Sequence, residues 1–273
     1  MKTTRTLFLA LLTGAALTAA AVSSADAEMA ATAAHRASYV LSLKSAKSGS
    51  GIADVSGRMV FEIVDACDGW TVNQKLELRI LSNESPELVT ETSYTSWESK
   101  DGLKFRFDSR TTRNGALAEQ FRGSAELVDL KKGGEATYTV PEARKLALPP
   151  GTLFPTAHTE AIIERAEAGE TFDYRTLFDG SSGDSPFGVS AVMRPAEGDD
   201  RADDPILAKL ATPKSWRVKL AFFPQASKEA DPDYEIAVRL YQNGVVRDMV
   251  MEYSNFSLKA VLDKAEALAK PKC

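Results

Sequence analysis

The chain has 273 residues, 44% of them apolar and 26% charged, with 33 Lys and Arg against 38 Asp and Glu, a formal net charge of −5. An acidic surface repels nucleic acid and anionic lipid head groups, so neither is an expected electrostatic partner. Two histidines and two cysteines are too few for the usual His/Cys metal sites, and neither a metal nor a cofactor is expected.

Residues 2–27 read as a secretory signal peptide: Lys2 and Arg5 charge its start, Leu7–Ala21 is apolar, and Ala25-Asp26-Ala27 is a small-residue cleavage site. Cleavage after Ala27 removes Lys2, Arg5 and Asp26 and takes the charge to −6 over 246 residues. A soluble protein of the periplasm is expected. No later apolar run approaches the ~18 residues that span a bilayer, and no cysteine follows the cleavage site to carry a lipid anchor. Residues 28–36 are Ala-rich and read as loosely ordered. The remainder, 28–273, reads as a single domain.

Period-two alternation dominates from there. Met59, Phe61 and Ile63 share one parity, as do Val72, Leu76, Leu78 and Ile80, then Phe105 and Phe107, then Val218 and Leu220, then Tyr234, Ile236, Val238 and Leu240. Such runs are strands with one buried and one wet face. Asp101-Gly102, Asn114-Gly115, Gly133-Gly134 and Asn243-Gly244 punctuate them and favour the turns that match strand twist. About a dozen strands in an antiparallel meander are expected.

Thr156–Ala168 breaks the alternation. Ala157, Ile162, Ile163 and Ala166 are apolar, the last three on one stripe, Thr156 can cap the start and Gly169 can end it. One central amphipathic helix is expected there, packed against the curved sheet. Pro205–Leu210 reads as a second short helix, Arg194–Asp204 as an exposed acidic loop, and the last segment as strand or helix.

Few constellations carry chemistry. Gly183-Asp184-Ser185 resembles a serine-protease nucleophile segment, but Pro186 follows and only His35 and His158 could act as base, so a turn is the better reading. His158 and Glu160 stand at i and i+2, on different helix faces, while Glu160 and Glu164 share a face that reads as a solvated stripe. No catalytic residue is assigned, and the chain is read as no enzyme. Phe154, Ile162, Ile163 and Phe223 could line an apolar ligand groove or simply fill a core. Cys67 and Cys273 are a lone pair in an exported chain, which favours a structural bridge. A redox role is the alternative, but it normally needs close spacing and a basic neighbour.

Several segments together resemble the periplasmic cell-envelope integrity protein EipB family of Gram-negative bacteria. They are Cys67-Asp68-Gly69-Trp70-Thr71-Val72-Asn73-Gln74, then Trp97 through Phe107, then Leu148 through His158, then Phe178-Asp179-Gly180, Asp231-Pro232-Asp233-Tyr234-Glu235, Asn243-Gly244-Val245 and the terminal Cys273. The resemblance runs from about Ala37 to Cys273, and the order of the segments is more specific than any one of them. It implies a mainly β fold, a large antiparallel sheet wound as an open barrel or spiral around one central helix, with a disulfide carried over onto Cys67 and Cys273. It also implies a role in envelope integrity under stress and a fold similar to periplasmic carriers of outer-membrane lipoproteins. The expected function is therefore maintenance of the cell envelope by binding a lipoprotein, a lipid or another envelope protein. The alternative is a hydrolase acting on envelope material through Ser185 or Glu160.

Overall fold

The computed structural model describes residues 32–182, 186–199, 201, 204–225 and 230–273. The expected signal segment and Gly183-Asp184-Ser185 lie outside them. The strands are β1 (His35–Ala46), β2 (Ile52–Asp65), β3 (Gly69–Ser82), β4 (Leu88–Ser99), β5 (Lys104–Arg113), β6 (Ala116–Asp129), β7 (Gly133–Val140), β8 (Arg144–Leu148) and β9 (Thr152–Leu153). Helix α1 (Pro155–Glu167) follows, then β10 (Phe172–Leu177), β11 (Phe187–Pro195), the short helix α2 (Pro205–Leu210), β12 (Ser215–Pro224), β13 (Tyr234–Tyr241), β14 (Val246–Glu252) and β15 (Phe256–Ala267).

All fifteen strands join one mainly antiparallel sheet, in the order 8-7-6-5-4-3-2-1-15-14-13-12-11-10-9. The chain's first and last strands pair along their length, from His35 opposite Ala267 to Ala46 opposite Phe256. The sheet's two ends, β8 and β9, are consecutive in the chain and only Pro149-Pro150-Gly151 separates them. A short turn therefore carries the chain from one end of the sheet to the other, and the sheet curls into a nearly closed barrel. The only parallel pair among the described residues is β9 with β10, and α1 is the crossover between them, as parallel pairing requires.

The alternation read from sequence sets the inner face. Tyr39, Met59 and Leu76 stand opposite one another on β1, β2 and β3, and Val218, Val238 and Met249 do so on β12, β13 and β14. One core cluster joins Tyr39, Leu41, Val55, Met59, Leu78, Met251 and Leu258. A second is aromatic: Phe154 stacks on Phe105 with ring centroids 4.9 Å apart, and Phe178 meets Phe107 edge-on at 5.6 Å. Gly180 lies so close to Phe107 that a Cβ there would sit 2.3 Å from the ring, and its φ of +65° suits glycine. A third cluster sets Ile162, Ile163 and Ala166 of α1 against Ala191, Met193, Trp216 and Val218, as the apolar stripe predicts.

Three local readings need correction, and one alternative is resolved. His35 and the residues after it are not loose: His35 is buried and begins β1. Among the described residues the strands number fifteen rather than about a dozen, because β8 and β9 are too short to alternate visibly. The last segment is strand, since β1 offers it a full-length partner. Helix α1 starts at Pro155, and Thr156 does not cap it: the N-cap residue is Phe154, with no side-chain cap bond.

Cys67 and Cys273 form a disulfide across 206 residues. Cys67 occupies the tight β2–β3 turn at φ +66°, its N–H held by Asp65 Oδ1 at 2.9 Å. The bridge ties the chain's end to that turn. Cys273→Ser is expected to lower unfolding free energy, with about 5 kcal/mol as the ceiling of the loop-entropy model. Urea unfolding of the oxidised parent and the variant measures it.

Candidate functional site: the helix seat and the inner face of the barrel

A helix begins with N–H groups that lack partners inside it. In α1 the groups on Thr156 and Ala157 donate to one carboxylate, Glu98 of β4, at 2.7 Å to Oε2 and 2.8 Å to Oε1. Period two turns Tyr94, Ser96 and Glu98 inward, and Glu98 is only 2% exposed. In register it is flanked by Trp70 and Phe105, and Phe105 carries Phe154, the residue that opens the helix. One acidic side chain thus supplies the missing cap from across the fold, where the helix dipole favours negative charge.

Burial pushes the Glu98 carboxyl up to about 7, against the bonds from Ala157 and Thr156, which favour its charged form. The Glu160 charge adds to the upward push. His158, in the same helical turn, is buried and faces Asp173 and Arg175. Burial brings it down to about 4; Asp173 opposes this and Arg175 adds to it. Burial likewise lowers His35, offset by its bond to the Ala33 carbonyl at 2.7 Å.

Beyond the helix, the inner face is apolar but incompletely covered. Leu220, Ile236, Val238 and Met249 on β12–β14, with Phe61 and Leu76 on β2–β3, are half-buried against the core clusters. Further round, the inner face turns polar, with Thr92 and Thr111 in contact at 3.1 Å. Two depressions, of about 390 and 470 Å³, open on the outer face of β2–β6 among Arg58, Lys75, Glu77, Glu91 and Arg110, and among Trp97, Arg106, Asp108 and Arg122. Among the described residues no three His, Cys, Asp or Glu side chains are grouped to hold a metal ion.

The four groove candidates do not meet on one wall. Phe154 is fully buried in the aromatic cluster, and Ile162 and Ile163 pack under α1 in another. Phe223 turns to the outer face because its neighbour Phe222 is the inward member of the pair. Of the residues weighed for chemistry, Glu160 accepts from Thr32 Oγ1 at 2.7 Å, Glu164 is exposed and Ser185 lies outside the described residues. Glu98 escaped the sequence reading, although a charge at an inward strand position is a visible signal.

This geometry defines an all-β, barrel-like protein with a helix seated on its inner wall. The EipB-like family model matches residues 26–269, and the chain belongs to that family. It is 35% identical over 235 residues, 85% of this chain and 83% of the relative, to the cell envelope integrity protein EipB of Brucella abortus (strain 2308). It also superposes, at TM-score 0.79 and 34% identity, on the crystal structure of a beta-barrel-like protein of a domain of unknown function from Brucella abortus, covering 88% of this chain and all of that one. That relative is named for the integrity of the cell envelope.

Glu98→Gln keeps the shape but cannot present two acceptor oxygens, and a loss of about 1–3 kcal/mol is expected. A carboxyl whose pKa is higher folded than unfolded takes up a proton on folding. Its contribution is complete below about 4.5 and is lost as pH rises through about 7. His158 has the opposite slope, favouring the fold above 6.5 and ceasing to as pH falls through about 4, but it is common to both proteins. The parent's advantage over Glu98→Gln in urea unfolding is therefore expected to shrink by more than about 1 kcal/mol between pH 5 and pH 8.

Proposed function

We propose that this protein works in the periplasm, without catalysis, by holding an apolar chain against the inner face of its barrel, and that this binding serves envelope integrity. The observation that carries the reading is the run of half-buried Leu220, Ile236, Val238 and Met249, continued by Phe61 and Leu76, which α1 leaves uncovered. Burying such side chains under a ligand is favourable at roughly 25 cal/mol per Å². The ligand class that fits is an acyl chain, on a lipid or on a lipoprotein. Helix α1, fixed by Glu98 at one end and by Ile162, Ile163 and Ala166 along its length, forms a rigid wall beside the uncovered stretch.

A fluorescent fatty acid is expected to bind the parent saturably. Ile236→Asp places a charge between Leu220 and Met251 and is expected to weaken binding at least tenfold. Val40→Asp, on the outer face, should leave affinity within twofold. Thermal melts of all three show whether each is folded. Absence of saturable binding by the parent, or equal binding by a folded Ile236→Asp protein, would overturn the reading.

A further inference from the structure

Strand β10 is paired with β11 over all six of its residues, but β9 reaches only Thr176 and Leu177 on its other side. Phe172–Arg175 thus has a side along which no strand lies among the described residues. Backbone direction follows from the register. Met193 N–H donates to Thr171 C=O at 2.9 Å, so in this antiparallel pair Thr171, Asp173 and Arg175 exchange bonds with β11, while Phe172 and Tyr174 turn their N–H and C=O outward. Phe178, next but one after Thr176 on that parity, donates to Leu153 of β9 at 3.0 Å, which confirms the direction.

The side chains at this edge are apolar and exposed. Phe172 and Tyr174 are each 56% exposed and Val192, opposite Phe172, is 41% exposed. Tyr174 leans across Gly188, where a Cβ would meet its hydroxyl at 2.0 Å, toward the half-buried Phe223 opposite Gly188. Soluble proteins blunt free edges with charge, proline or bulges; here two aromatic residues stand at one. The nearby charges are paired within the chain: Arg165 with Glu170 at 2.6 Å, Arg175 with Asp173 at 2.8 Å, Lys219 with Glu235 at 2.8 Å. Arg194, one outward position beyond Val192, is exposed and has no ion pair among the described residues.

We propose that the free edge of β10 is a docking site for an extended segment of another polypeptide, which adds to the sheet as a strand beside Phe172–Arg175. The bound segment carries apolar residues at two alternating positions, beside Phe172 and Tyr174, and an acidic residue toward Arg194. Main-chain bonds supply the attachment and the outward aromatic pair reads the sequence. A second copy of this chain is the wrong occupant. Its own β10 would bring no free acidic side chain to Arg194, because Glu170 and Asp173 are already paired within the chain. This surface lies on the opposite face of the sheet from the uncovered inner wall, and its occupancy does not depend on what the inner wall holds.

The test uses the whole oxidised protein and a panel of fluorescein-labelled decapeptides in which valine, leucine or phenylalanine alternates with threonine, each with one terminal aspartate. At least one peptide is expected to bind saturably. Methylating its backbone nitrogens on the edge that faces β10 should weaken binding at least tenfold, whereas methylating the alternate nitrogens should leave it within twofold. Hydrogen exchange at the amides of Phe172 and Tyr174 should be fast in the free chain and slow at least tenfold in the complex. Phe172→Lys should abolish binding without changing fatty-acid binding. The proposal is overturned if no peptide binds, if both methylated forms bind equally, if those two amides are already protected in the free chain, or if the chain dimerises through β10.

Discussion

Two backbone N–H groups and one buried carboxylate decide where the helix sits. The start of α1 must be satisfied, and neither Pro155 nor Phe154 can do it. Glu98 does it from β4, 58 residues away. Because Glu98 is flanked in register by Trp70 and Phe105, the bond also fixes how β3, β4 and β5 lie under the helix start. The aromatic cluster of Phe105, Phe107, Tyr138, Phe154 and Phe178 closes over this point, removing the water that would compete for the two bonds from the helix start. C-terminal to the seat, α1 packs on β11, and the inner wall of β12–β14 stays partly open.

The sheet meets the edge problem by curling. A fifteen-stranded flat sheet would present two long edges; here consecutive strands β8 and β9 are the ends, and the first and last long strands pair in the middle. The disulfide adds a second closure, from the chain's last residue to the β2–β3 turn. Among the described residues the closure is incomplete along β10, because β9 is only two residues long, and along β8, which pairs with β7 alone.

Much of this was legible in the sequence, for identifiable reasons. Asn114-Gly115 takes positive φ at both residues between β5 and β6, as a primed turn demands. Asn243-Gly244 turns β13 into β14, and the Asn243 side chain also donates to the Leu210 carbonyl at 2.8 Å. Pro205–Leu210 is helical over the range read, with Asp204 capping it, because its signals are all local. The cysteine pair and the apolar stripe of α1 were legible too. What was hidden depends on partners far away. The cap of α1 comes from another strand, so Thr156 was the natural local choice. In Phe222-Phe223 two aromatics sit side by side, and only the register with β11 and β13 shows which faces inward. Strand β10 carries its aromatics outward, which inverts the pattern that marks a buried face.

The claim that the inner wall holds an acyl chain is tested most directly by native mass spectrometry of the protein purified without detergent from the envelope fraction of its own cells. The account expects the chain together with a second, lower-mass species in one-to-one ratio, bearing an acyl group and released by organic solvent. Bare chain as the sole species, from cells in which the protein is active, would contradict it.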